Sequence, residues 1–342
     1  MSKSELASRW KTNEGQQLLA SVLQTLQKGR SLDKVKGLEK HAGRWDLRGA
    51  PLSRLTSEKK IEGTGNSFTQ KYGSLKLKKA VIESVDFSYA DISYSWWQEC
   101  QVSNCLFEGT KARELHVYST DFSNCTFRKV NFAYSDLNRN IGKQSGSYKS
   151  VDFIECNLKE CILNFPEIEG CIFKDCHIDG TNFDGSRFKN CSFVGELSSA
   201  WFNGFSITSQ RSIFGVFNRV EPRNYPNLME GVDFSKARMD DILFQYGIDL
   251  ANCRFPDDPR YFVVYDLDVL YPKVIEEVEI NWQGEDQRIA LSWIENLYYN
   301  KNKRGMKLDL INSGCRIKYF SEDLYNKFFN LLKRVNAEVQ AK

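Results

Sequence analysis

The 342-residue sequence has only three histidines and no apolar run approaching the roughly 20 residues that cross a bilayer. Mean hydropathy is −0.48. The first residues, MSKSELASRWKTNEGQQ, lack the apolar stretch of a secretion signal, so a cytoplasmic chain is expected. No HExxH and no nucleophile elbow occur, and GTGNS (63–67) is too short for a phosphate-binding loop and lacks its lysine. Of the histidines, His116 and His177 stand beside Val117 and Ile178 with no partner motif. These absences predict a protein that is not an enzyme, with no membrane span and no catalytic residue.

What the sequence does have is a period of five. A large apolar residue recurs at Leu77, Ile82, Phe87, Ile92, Trp97, Val102, Phe107, Ala112, Val117, Phe122, Phe127, Phe132 and Leu137, thirteen pentads without a slip. Two residues before each stands a smaller one, as in Ala80, Val85, Ala90, Cys100 and Cys105. The register resumes at Phe153, Leu158, Leu163, Ile168, Phe173, Ile178, Phe183, Phe188 and Phe193, and then at Phe202 and Ile207. It ends with Phe234, Met239, Phe244, Leu250 and Phe255, and Leu47 and Leu52 precede the long run. A period of five suits neither a helix at 3.6 nor a strand at 2.0. It describes a chain that turns a corner every pentad, with the large residue filling the middle of a coil and the small one tucked near the corner. The other three positions face water, which puts His116 and His177 outside. Asp86, Asp91, Asn131, Asn157 and Asp233 fall among them, where Asx side chains support turns.

The segments VDFSYADIS (85–93), VNFAYSDLN (130–138) and TNFDGSRFKNCSF (181–193) resemble the pentapeptide-repeat family and its loose pattern A(D/N)LXX. The resemblance covers roughly 75–255, with a fragment at 45–53, and the flanking N-terminal sequence is similar to that of many bacterial members. It implies a mainly β fold, a right-handed quadrilateral β-helix with four pentads per coil. Some seven or eight coils at ~4.8 Å spacing give a rod roughly 35 Å long. Phe87, Ile92, Trp97, Phe107, Phe122, Phe127, Phe132, Phe153, Phe173, Phe183, Phe188 and Phe193 form its expected core.

The repeat also accounts for the cysteines. Nine of the ten, all but Cys315, occupy the small inward position, and spacings of five are not those of metal sites. Structural thiols are expected, with no metal and no cofactor.

Three regions follow. Residues 1–44 hold a helix at 14–28 (Leu18, Leu19, Val22, Leu23, Leu26) and read as a helical cap. Residues 45–255 form the β-helix. Residues 256–342 form an α-rich domain with helices at 286–299 and 321–340, the latter starting at a Ser321 N-cap. Its stripe Leu324, Phe328, Leu331, Leu332, Val335 and Val339 either packs at home or pairs a homodimer.

Breaks in the repeat are the candidate binding elements, because loops on rigid scaffolds often carry function. They lie near 53–74, 138–150 and 208–231. Lys143 and Tyr148 represent the first of the two long insertions. Arg211, Phe214, Phe217, Arg219, Arg223 and Tyr225 represent the second, which is aromatic and basic. The expected role is a protein-interaction scaffold of the adaptor or immunity type. Two alternatives stand beside it. Some family members mimic B-DNA and bind type II topoisomerases such as gyrase, and residues 81–140 and 151–210 are acidic, with 9 basic against 17 acidic residues. Residues 1–80 carry 17 basic and 7 acidic residues, so Lys34, Lys36, Lys40, Arg44 and Arg48 offer a nucleic-acid surface, which ranks last.

Overall fold

The computed structural model describes residues 2–62, 67–141, 145–206, 221–264, 266–303, 309–312 and 321–341. Its body is a parallel coil with four faces, each pentad supplying one face and each coil adding one strand to every sheet. On the first face Phe107, Phe127, Phe153, Phe173 and Phe193 stand in direct register. Neighbouring rings stack from Phe87 through Phe234 at centroid distances of 4.6–5.2 Å. The third face carries Leu77, Trp97, Val117, Phe183, Phe202 and Phe244, and the fourth Ile82, Val102, Phe122, Ile168 and Phe188. The second face, at Ile92, Ala112, Phe132, Leu158 and Ile178, is held by single bridges such as Asp91–Lys111 and Lys111–Asn131. All twelve expected core residues are buried.

Local chemistry explains the corners. At second-face turns the Asx carboxyl or amide oxygen accepts the N–H two residues on, as Asp91 does from Ser93 at 3.1 Å and Asn157 from Lys159 at 3.1 Å. The small inward residue does more than fill space. Its hydroxyl or thiol donates to a carbonyl of the preceding coil: Thr110 to Phe87 at 2.8 Å, Ser186 to Leu163 at 2.8 Å, Cys176 to Phe153 at 3.3 Å, Cys191 to Ile168 at 3.2 Å. Serine, threonine and cysteine are therefore equivalent here as small donors.

The N-terminal end is covered by α1 (Lys3–Ser8) and α2 (Asn13–Gln27). Val22 and Leu26 are buried, and Leu18, Leu19 and Leu23 pack against the same core. Trp10 Nε1 donates to the Arg48 carbonyl at 2.8 Å, and Arg9 grips the Asp46 carboxylate with two bonds of 2.7 Å. Gly15 permits this approach, since a Cβ there would stand 2.0 Å from the Arg9 carbonyl oxygen. The cap also buries Asp86, an expected outward position, beneath His41 and Arg48.

Two expectations about the body are corrected. The segment 53–74, expected as a loop that breaks the repeat, has regular structure of its own. Leu55–Glu62 and Ser67–Gly73 pair as an antiparallel hairpin at the corner between the second and third faces. The hairpin folds over the third face, where Tyr72 packs on Trp96 and His116 at 6.3 and 5.9 Å. His116 is consequently buried rather than outward, with Nδ1 3.2 Å from Asp136 Oδ2 and Nε2 3.0 Å from the Lys71 carbonyl.

After the coil, Tyr261–Val264 links two cores. Tyr261 closes the coil, its hydroxyl receiving the Met239 N–H at 3.0 Å, while Val264 enters a second core formed with α3 (Leu267–Asn281), α4 (Gly284–Lys303) and α5 (Glu322–Gln340). Ser321 caps α5 as expected, accepting from the Leu324 N–H at 3.2 Å. Leu324, Phe328, Leu331, Leu332 and Val335 are buried within this core, Phe328 between Trp282 and Trp293. The α5 stripe is thus occupied by its own chain and is not available to pair a homodimer. α3, with Pro272 inside it, was not foreseen.

Candidate interaction site

The two long insertions open from one corner, between the third and fourth faces. Along this edge the chain turns at Lys79, Glu99 and Ser119 with left-handed φ of 43–53°. The first insertion then follows the third-face strand Asp136–Arg139 and ends at the fourth-face strand Ser147–Lys149. Two uninterrupted corners come next, at Phe165 and Gly185, and the second insertion follows Trp201–Asn203. An open trough of about 510 Å³ runs along the same edge, lined by Lys79, Glu99, Ser119 and Ser145 among others.

Arg187 joins the two insertions. Its guanidinium donates to Ser145 Oγ at 3.1 Å, to Glu167 Oε1 at 3.0 Å and to the Phe165 carbonyl at 3.3 Å. It also lies over the rings of Phe165 and Tyr225, 5.0 and 5.6 Å from their centroids, and those rings meet edge-on at 5.6 Å. Next to it Arg223 covers Phe205 at 5.3 Å, and Phe205 meets Tyr246 at 5.9 Å. The floor is polar. Asp184, buried, accepts from Asn164 at 2.8 Å, Asn203 at 2.8 Å and the Ser206 hydroxyl at 2.7 Å. Fixed in this way, the corner presents Tyr225 at 44% and Leu228 at 53% exposure. Arginine and aromatic side chains of restricted freedom are what anchor protein interfaces.

Of the expected binding residues, Arg223 and Tyr225 come together here. Lys143, Arg211, Phe214, Phe217 and Arg219 lie outside the described residues, as does the pentad centre Ile207. Tyr148 is a correction. It is no loop residue but a fourth-face centre, in register with Phe122 and Ile168, fully buried and stacked on Phe122 at 5.1 Å. The coil from Phe127 to its register partner Phe153 spans 26 residues against 20 for its neighbours, so the first insertion adds six residues. Arg187, Phe165 and Phe205 were missed. A signal existed for Phe165, an aromatic residue at a turn position just before Pro166.

Part of the charge on the rod, which is net acidic over 81–140 and 151–210, is paired between coils. Ion pairs link consecutive coils: Lys79–Glu99 at 3.4 Å, Arg128–Glu108 at 3.3 Å, Lys129–Glu155 at 3.6 Å and Lys189–Glu230 at 3.6 Å. In the N-terminal basic set, Arg48 chelates Asp46, Lys34 meets Asp33, Arg44 donates to the Asn104 carbonyl and Lys40 covers the Trp45 ring. Burial would raise the Asp46 carboxyl, but the Arg48 and Arg9 guanidiniums hold it well below the usual carboxylate range. Among the described residues no group of His, Cys, Asp or Glu could hold a metal ion, and no helix is long and apolar enough to cross a membrane.

The family model for pentapeptide repeats matches residues 149–195 in eight copies. No curated protein matches the sequence. Similar solved structures include the pentapeptide repeat protein Rfr23 from the cyanobacterium Cyanothece 51142, at 12% identity and a TM-score of 0.31, covering 34% of this chain and 89% of that one. HetL, involved in heterocyst differentiation regulation in Nostoc sp. strain PCC 7120, is 14% identical with a TM-score of 0.25, covering 53% and 85%. QnrB1, a plasmid-mediated fluoroquinolone resistance protein, is 14% identical with a TM-score of 0.24, covering 48% and 89%.

Proposed function

Since this chain is a pentapeptide-repeat protein, we propose that it is a non-enzymatic scaffold that binds a protein partner at the corner between its third and fourth faces. On this reading residues 1–44 cap the coil, 45–255 build it, and 256–342 form a separate helical unit. The observation that supports the corner is Arg187, which ties Ser145 of one insertion to Tyr225 of the other over a buried carboxylate network. The coil holds Ser145, Arg187, Arg223 and Tyr225 in fixed relation, so a partner that meets these side chains loses little affinity to ordering them.

The test is affinity capture from the native cell with mass spectrometry, comparing the wild type with an Arg187→Glu, Tyr225→Ala variant of unchanged circular dichroism. Partners retained by the wild type and lost by the variant support the reading. A partner held equally by both removes the corner from it. The topoisomerase alternative asks for an acidic surface resembling B-DNA; residues 81–140 and 151–210 are net acidic, and ion pairs between coils neutralise part of that charge. Gyrase supercoiling unaffected by micromolar protein would end that alternative.

A further inference from the structure

A second surface lies where α2 meets the first coil. Lys76 and Lys78 point outward on either side of the buried centre Leu77. Three contacts bring further cations to the same place. Gln27 Nε2, at the end of α2, donates to the Ser74 carbonyl at 3.2 Å, which places Lys28 and Arg30 beside this strand. Gly29 faces the turn after it, since a Cβ there would stand 3.5 Å from the Lys79 carbonyl oxygen and 3.9 Å from that of Lys78. Ser74 and Arg54 exchange bonds of 2.8 and 3.1 Å, which fixes Arg54 to the other end of the same strand. Lys28, Arg30, Arg54, Lys76 and Lys78 are all exposed. Among the described residues none of them forms an ion pair within 4.0 Å, although Lys78 adds to the field of Lys79 that lowers the Glu99 carboxyl.

We propose that this patch binds the phosphate backbone of nucleic acid, without reading its sequence. Its composition decides between partner classes. Protein interfaces exclude lysine from their cores and need aromatic or arginine anchors in apolar surroundings. Residues 74–80 and the end of α2 expose no large apolar side chain, and the exposed Leu55 and Val81 flank the patch as single residues rather than as an apolar face. A membrane would require an apolar face to insert besides the cations. Phosphates require only fixed positive charge, which neutralises them and releases their counterions. The patch differs from the set Lys34, Lys36, Lys40, Arg44 and Arg48, four of which are already held by neighbouring groups.

The test is fluorescence anisotropy with labelled duplex DNA of about 20 bp, at salt concentrations from about 50 to 200 mM. Engagement of three to five of these cations gives a slope of log K against log salt of about −3 to −5. Lys76→Ala with Lys78→Ala should reduce the slope by about 2 and weaken binding at least tenfold at the lower salt. Lys174→Ala with Lys236→Ala, two exposed first-face lysines, should leave both unchanged. Circular dichroism confirms that both double variants are folded. No binding at the lowest salt overturns the proposal, and binding equally weakened by both pairs overturns the location. Capture by phosphatidylserine vesicles without binding of the duplex overturns nucleic acid in favour of a lipid surface.

Discussion

Replacing Tyr148 by alanine separates the two ways of reading residues 138–150. A side chain on a solvated loop costs little to remove, typically within about 0.5 kcal/mol. In the coil the same change removes a fully buried ring stacked on Phe122 with an interplanar angle of 6° and touching Phe153 edge-on at 5.6 Å. Truncating a buried aromatic costs about 3–5 kcal/mol, because the cavity adds to the lost transfer energy. The fourth-face ladder above and below Tyr148, at Phe122 and Ile168, is held by backbone bonds and cannot collapse into the gap. Tyr148→Phe keeps volume and stacking and should cost under about 1.5 kcal/mol. Urea unfolding followed by the β-sheet circular dichroism signal measures this. The helical unit has its own core and can unfold in a separate transition, so the comparison uses midpoints of the β transition. Lys149→Ala, at the exposed next position, is the control. A Tyr148→Ala midpoint no lower than that control would refute the register assigned to this strand.

Other expectations follow from single contacts. The Asp46 carboxyl is depressed by Arg48 and Arg9, so its contribution is whole above the ordinary carboxylate range and is lost as pH falls through it. The stability gap between wild type and Asp46→Asn should be widest near neutrality, at about 3 kcal/mol or more, and should narrow below about pH 4, as urea midpoints across pH would record. Tyr72→Ala should lift the hairpin from the third face and expose Trp96, seen as a red shift and stronger quenching of tryptophan emission; unchanged emission would mean that the hairpin is held elsewhere. Burial pushes the Cys161 thiol up, and that of Cys253 up to about 12. Alkylation of the native protein with peptide mapping should modify the partly exposed Cys253 before any of the eight buried thiols, because the reagent reaches it without unfolding, and early labelling of Cys161 would contradict the packing.

The coil was legible because its side chains alternate large and small with a fixed period, and that period has one physical meaning. Phe87 to Phe193 could be assigned to a core from spacing alone. The errors arose where the period was interrupted. Tyr148 is as apolar a filler as Phe122, yet stands eleven residues after Leu137, so counting in fives skipped it. His116 occupies an outward pentad position and is buried only because the hairpin, remote in sequence, covers it. Arg187 likewise sits at an ordinary outward position, and its role depends on two insertions meeting above it. The thiols were read as fillers, and their donation to carbonyls one coil back was invisible without the stack. α5 was predicted from its stripe, but a stripe does not say which surface covers it.

The breaks in the repeat fall at corners, the hairpin between the second and third faces and the other two between the third and fourth, and this has a consequence for how such a chain can vary. Within a strand, adding or deleting one residue would turn each later inward side chain outward until the next corner reset it, so change inside the ladder is tolerated only in whole coils of about 20 residues. At a corner any length is admissible, because the chain leaves one strand and re-enters the next at a level fixed by its neighbours. Six added residues at the first insertion leave Phe127 and Phe153 in register as if nothing intervened. The surface at this edge can therefore be rewritten residue by residue while the rod beneath keeps its dimensions, which separates the heredity of the scaffold from that of its loops.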